Sequence, residues 1–299
     1  MTAYLDSPPP VAQSDAMSAS PAPPTAATAH HPVLAAMLAR PYPAVMGILN
    51  ITPDSFSDGG RFDAPERALA QARRMIAEGA DVIDIGAEST RPYGSQPITA
   101  DEEWARLAPV LADVVALGTP VSIDSMKAAV VARALAAGVA IGNDVWGLQR
   151  DPEMAGVIAA HGAPVVVMHN RDDVDAAIDI VEDIKTFFAR TLEIAARAGI
   201  AENSIVLDPG IGFGKTPQQS MIALARLQEF QVFGLPILVG ASRKKFINTV
   251  VASEPQQRLG GSIAAHLLAA RHGAKIIRAH DVAETVQALR VTAAIEDQT

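Results

Sequence analysis

Cysteine is absent from the 299 residues, which excludes disulfides, thiolate metal centres and cysteine nucleophiles, and agrees with a reducing compartment. Positive charge is scarce as well. No Lys or Arg precedes Arg40 and no long apolar run occupies that stretch, so neither a secretory signal nor a membrane span is legible, and a cytoplasmic protein is expected. The formal net charge of −9 and the pI near 5.2 exclude a protein that coats nucleic acid or an anionic membrane, because an acidic surface is repelled by both. A small phosphate-bearing ligand stays compatible where basic residues gather locally. Residues 1–39, with prolines at 8–10, 21, 23 and 24 and few aromatics, bury too little apolar surface to offset the entropy of ordering. They read as a disordered tail in which Val33–Ala39 is compatible with a short helix, and deleting them is expected to leave activity nearly intact.

Several catalytic signatures are missing. His161, His169, His266 and His272 show no metal-ligand spacing, so structural or surface roles are expected for them. The run Asp208-Pro209-Gly210-Ile211-Gly212-Phe213-Gly214-Lys215-Thr216 fails as a P-loop, since that pattern needs glycine where Pro209 stands, and it lacks the dinucleotide-binding spacing. Gly240-Ala241-Ser242-Arg243-Lys244 fails as a nucleophile elbow because Lys244 replaces the second glycine.

What is present is a regular alternation. From Pro43 onward, short apolar runs alternate with amphipathic stretches, the pattern of β/α units around a parallel sheet. Strands are predicted at Ala44–Asn50, Val82–Gly86, Val121–Asp124, Val139–Asn143, Val165–Met168, Ile205–Asp208, Ile237–Val239 and Lys275–Arg278. Helices are predicted over 64–78, 101–117, 126–137, 152–161, 177–198, 217–229, 258–272 and 281–294. Eight of each over 43–296 suit a single-domain (β/α)8 barrel, with a doubly wound open sheet as the alternative.

Most predicted strands end on a polar residue: Asn50, Asp124, Asn143 with Asp144, Asp208, and Arg278 with His280. In a barrel these ends converge on the catalytic face. One such Asp is more often a helix cap, but caps do not explain Lys244 after the seventh strand or Arg278 and His280 on the eighth. Arg278 and His280 are two apart, so they share a side if the extension continues, and together suit an oxyanion. Asp281 is expected to cap the last helix. Two polar loops, from Thr52 to Gly60 and from Glu88 to Pro92, follow the first two strands and read as functional rather than connecting.

These residues resemble the dihydropteroate synthases, which are pterin-binding enzymes. The resemblance rests on Met46-Gly47-Ile48-Leu49-Asn50, Thr52-Pro53-Asp54-Ser55-Phe56-Ser57-Asp58-Gly59-Gly60, Asp84-Ile85-Gly86-Ala87-Glu88-Ser89-Thr90-Arg91-Pro92 and Ser122-Ile123-Asp124-Ser125. It continues through Asn143-Asp144, the run from Asp208 to Lys215, Ser242-Arg243-Lys244 and Arg278-Ala279-His280-Asp281-Val282. It implies a (β/α)8 barrel that joins 6-hydroxymethyl-7,8-dihydropterin pyrophosphate to para-aminobenzoate by dissociative substitution.

By that resemblance, Asp124, Asn143, Asp208 and Lys244 line the pterin pocket, and Asn50, Thr90, Arg91, Arg278 and His280 hold the pyrophosphate. Mg²⁺ is the implied cofactor, with Asn50 as its protein ligand. Phe56, Asp58, Pro92, Phe213 and Lys244 shape the aminobenzoate slot and its loops. The catalytic set is then Asn50, Asp124, Asp208, Lys244, Arg278 and His280. A homodimer through the late helices and sulfonamide binding are further implications. Asn170-Arg171-Asp172-Asp173 departs from the family pattern, in which Met-His is followed by Met and then Gly. Two relatives stay open as alternatives: a pterin-dependent corrinoid methyltransferase, and a non-catalytic pterin binder.

Overall fold

The computed structural model describes residues 29–51, 64–88 and 97–298. Eight parallel strands, β1 (Ala44–Asn50), β2 (Val82–Gly86), β3 (Val121–Asp124), β4 (Ile141–Asp144), β5 (Val165–Met168), β6 (Ile205–Asp208), β7 (Leu238–Val239) and β8 (Ile276–Ala279), pair in the order β6-β5-β4-β3-β2-β1-β8-β7. A parallel bridge between Leu207 and Ile237 joins β6 to β7 and closes the ring, which excludes the open sheet. The fold is a (β/α)8 barrel.

The surrounding helices begin with α1 (Pro32–Leu38), α2 (Ala64–Ala77), α3 (Ala100–Val115), α4 (Ala128–Ala136) and α5 (Met154–His161). They continue with α6 (Ile180–Ala198), α7 (Pro217–Ala225), α8 (Lys245–Val250), α9 (Leu259–Arg271) and α10 (Val282–Glu296). Their boundaries follow local chemistry. Thr99 with Glu102 and Thr216 with Gln219 form capping boxes at α3 and α7, so two otherwise orphaned N–H groups are satisfied at each start. Asp179 caps α6, which places its start three residues beyond the expected one. The expected helix over 217–229 ends at Ala225 and passes into a 3₁₀ segment, Leu227–Phe233, while α8 is an additional short helix.

The pleat divides the strand residues into two sets. Val45, Leu49, Ile83, Ile85, Val165, Val167, Leu207 and Ile277 face outward and pack against the helices. Ala44, Met46, Val82, Ile141, Val166, Val206, Leu238 and Ile276 face inward and form a separate apolar layer. Leu34 and Met37 of α1 are buried in that inner layer, at 1% and 4% exposure.

The short helix allowed at Val33–Ala39 is present, but it is packed on the barrel rather than part of a disordered tail. Residues 1–28 lie outside the described residues, but α1 is a packed element because its two apolar side chains face the barrel's N-terminal end, whose inner layer needs a cover. His31 caps α1, and its backbone N–H donates to the Asn203 carbonyl. Leu34→Ala is therefore expected to cost about 3 kcal/mol, the usual range for a fully buried Leu. Chemical denaturation checks this, and a loss below about 0.5 kcal/mol would show that α1 does not cover the core. Deletion through residue 39 should likewise destabilise the chain.

Candidate functional site

Two residues beyond the inner apolar layer, the same strand parity carries polar groups inward at the C-terminal ends: Val82 is followed by Asp84, Ile141 by Asn143, Val206 by Asp208, and Ile276 by Arg278. Ser122 and Asp124 complete this layer from β3, and Asp124 stands beside Asn143 in register. The Arg278 guanidinium donates from Nε to Asp84 Oδ2 and from Nη2 to Asp124 Oδ2, both at 2.6 Å. Asn143 donates its Nδ2 to Asp84 Oδ2 at 3.1 Å, which turns its amide oxygen away from Asp84 as an acceptor. Asp124 Oδ1 is buried and has no hydrogen-bond partner among the described residues. A buried unpaired carboxylate oxygen is costly, so it marks where a donor on a ligand belongs.

Burial pushes the Asp124 carboxyl well up, against the Arg278 charge that pulls it down. Burial likewise lifts Asp208 to about 6, partly opposed by the Gly210 N–H, which donates to Asp208 Oδ1 at 2.8 Å. Lys244 is the second cation of this group: its charge favours both carboxylates, and its Nζ lies 3.8 Å from the centre of the Phe213 ring. Asp144, adjacent to Asn143, has a different task. Its oxygens accept the Trp146 and Leu148 N–H groups and hold a turn in which Leu148 takes a positive φ of 64°.

The eighth strand ends at Ala279, so Arg278 and His280 do not share one extended face. Arg278 reaches inward to Asp84 and Asp124, whereas His280 faces Ser242. Ser242 Oγ accepts the His280 backbone N–H at 3.2 Å and lies 3.0 Å from Nδ1. With Oγ–H donated to Nδ1, the ring proton sits on Nε2. Burial and the nearby Arg278 charge push His280 down to about 3, so it is a neutral donor at physiological pH. Asp281 does not cap α10 with its side chain; it receives Arg243 from Nε at 3.1 Å and from Nη2 at 2.5 Å.

Asn50 ends β1 in register with Gly86, half-buried at the rim of the same face. Phe56, Asp58, Thr90, Arg91 and Pro92 lie outside the described residues. The bases of their loops are tied down nearby. Glu88 accepts the Ile98 N–H at 3.2 Å and pairs with Lys127, which also reaches Glu103 at 2.6 Å. His169 and His266 are buried, as a structural role requires, and no cluster of three or more His, Asp or Glu among the described residues is placed to hold a metal. No helix among the described residues is long and apolar enough to cross a membrane.

Sequence reasoning missed Asp84 as a site residue. The available signal was a charged residue inside an apolar strand, at inward parity and two positions past Val82. The structure shows why it is tolerated there: fully buried, it is the acceptor shared by Arg278 and Asn143.

The pterin binding enzyme family matches residues 46–280. A dihydropteroate synthase of Bacillus subtilis is 45% identical over 239 residues, covering 80% of this chain and 83% of that protein. The chain belongs to the dihydropteroate synthases. A type-2 synthase of Escherichia coli is 43% identical, covering 85% of this chain and 96% of its own. The dihydropteroate synthase of Xanthomonas albilineans, solved with 4-aminobenzoic acid, superposes with a TM-score of 0.83 at 43% identity, over 87% of this chain and 94% of that one. Another X. albilineans structure contains 7,8-dihydropteroate. These likenesses favour the synthase over the corrinoid methyltransferase and the non-catalytic binder.

Proposed function

We propose that this dihydropteroate synthase joins the methylene carbon of a 7,8-dihydropterin-6-ylmethyl pyrophosphate to the amine of para-aminobenzoate, in the cytoplasm. The observation that carries the reading is the inward polar layer. Asp124, Asn143 and Asp208 offer two carboxylates and an amide to a planar heterocycle bearing N–H and amino groups, and Asp124 Oδ1 is left unpaired.

In the reaction the carbon–oxygen bond to pyrophosphate breaks and its electron pair leaves with the pyrophosphate. The arylamine nitrogen then bonds to the methylene carbon and loses a proton. Asp124 and Asp208, buried and facing the ring, stabilise the positive charge that develops on the pterin. The Arg278 charge and the His280 Nε2–H favour the departing anion, with Asn50, Thr90 and Arg91 as its further proposed contacts. Lys244 stacked on Phe213, together with Phe56, Asp58 and Pro92, forms the aminobenzoate slot. A sulfonamide shaped like that substrate would compete there.

Mg²⁺ suits this donor set as an ion held mostly by water and pyrophosphate, since no three acidic or histidine side chains among the described residues are placed to hold a metal and Asn50 offers one hard neutral oxygen at the rim. When bound, the ion would neutralise charge on the pyrophosphate. Leu268, Val291 and Ile295, exposed on α9 and α10, support a homodimer contact along these helices.

Mass-spectrometric detection of dihydropteroate from the two substrates, with each component and Mg²⁺ omitted in turn, tests the assignment. Product is expected only with both substrates present. Because the Asp208 carboxylate must be ionised to accept pterin N–H groups, pterin affinity should fall about tenfold between pH 7 and pH 5, as the pH passes below its folded value. Folded, pterin-binding protein that makes no product would overturn the catalytic reading.

A further inference from the structure

The glycine loop between β6 and α7 closes on itself around one buried lysine, Lys215. Gly210, Gly212 and Gly214 have φ of 65°, 80° and 54°, so the backbone is in the left-handed region at all three. The loop is also tightly enclosed. A Cβ on Gly210 would overlap the His169 carbonyl, one on Gly214 would lie 2.5 Å from Arg171 Cβ, and one on Gly212 would meet the Lys244 stem at 3.1 Å. Three glycines make such a segment entropically expensive to hold in one shape.

Lys215 is what holds it. Its Nζ lies 2.6 Å from His169 Nδ1, 2.9 Å from the Gly210 carbonyl and 3.0 Å from the Phe213 carbonyl, so three acceptors surround one amine and meet all three of its N–H groups when it is protonated. The anchor continues outward. With Nδ1 accepting, His169 carries its proton on Nε2 and donates it to Asp183 Oδ2 at 2.9 Å, while Arg171 holds Asp183 Oδ1 at 2.8 Å. The segment Asn170–Asp173, where the family pattern is lost, thus supplies part of this anchor through Arg171. Lys215 is only 7% exposed, and its Nζ contacts are all with the loop and His169.

The product of this clamp is the position of Phe213. Its N–H donates to the Gly210 carbonyl at 3.1 Å and its carbonyl accepts from Lys215, so both backbone groups are fixed and the ring lies under Lys244. We infer that Lys215 is a positioning residue for the arylamine slot, holding the glycine turn in the shape that stacks Phe213 beneath Lys244. This rests on the proposed role of Phe213 and Lys244 in that slot.

Lys215→Met keeps the length and apolar stem of the side chain but removes all three donors. The KM for para-aminobenzoate is expected to rise about tenfold or more, while the Kd for the pterin pyrophosphate, measured separately, stays within about threefold. Phe213→Ala should raise the same KM, and the double variant should be no worse than Phe213→Ala alone, because Lys215 acts through the ring. Unchanged KM in Phe213→Ala would sink the slot reading itself. A raised KM there, with no effect of Lys215→Met, with additive effects, or with an equal loss of pterin binding, would overturn the role of Lys215 alone. Should Lys215→Met fail to fold, Asp183→Asn, which loosens the anchor at its outer end, should raise the aminobenzoate KM about threefold with pterin binding unchanged. No rise would refute the proposal.

Discussion

Arg278→Ala is expected to lose most of the activity and about 3–5 kcal/mol of stability, with the larger deficit at higher pH. The guanidinium sits between Asp84 and Asp124 at 2.6 Å from each, and both carboxylates are buried. Removing it leaves two anionic groups without their cation in an apolar barrel. Protonation relieves that penalty, so in the variant the Asp124 carboxyl, already pushed up by burial and no longer held down by Arg278, takes up a proton on folding. A group whose folded value is raised contributes stability below its unfolded value and loses it as pH rises. Denaturation of both proteins at pH 5 and pH 8 therefore reads the cause directly. A deficit equal at the two pH values would show that lost packing, rather than an unpaired charge, destabilises the variant. Pyrophosphate binding should fall with the charge, and pterin binding should fall too, because Asp84 also fixes Asn143.

Asp208→Asn is expected to lower kcat/KM by about a thousandfold while leaving the fold intact. The carboxylate accepts the Gly210 N–H through one oxygen and, in the proposed complex, the pterin N–H groups through the carboxylate. An asparagine satisfying Gly210 with its carbonyl must turn its NH₂ toward those donors, so an attraction becomes a clash of like groups. Stability should not fall at pH 8, since burial already penalises the charged form of Asp208. Calorimetric titration with the pterin pyrophosphate measures the loss. Affinity within about threefold of the parent would remove Asp208 from the pterin-orienting set.

The sequence reading of the barrel came within a residue or two for most strands, and the reason is physical. Inward and outward parity, and the switch from strand to helix periodicity, are properties of neighbouring residues along the chain. The same logic exposed Asn50, Asp124, Asn143, Asp208 and Arg278 as strand ends. It allowed the short helix α1 but not its packing, because an Ala/Pro-rich context hides two apolar side chains that matter only once a barrel floor exists for them to cover. It misread Asp281 for a related reason: a capping residue at a helix start is a local inference, and Arg243, 38 residues away, outcompeted the local partner.

By itself, the sequence determined the eight β/α units, the acidic surface, the absence of thiol chemistry and the set of polar groups delivered to one end of the barrel. Only the tertiary structure decided how those groups are shared. Asp84 and Arg278 are 194 residues apart and Lys215 and His169 are 46 apart, so no periodicity links them. Closure of the barrel brings them within hydrogen-bond distance, and burial makes each depend on its partner for a compensating charge or acceptor.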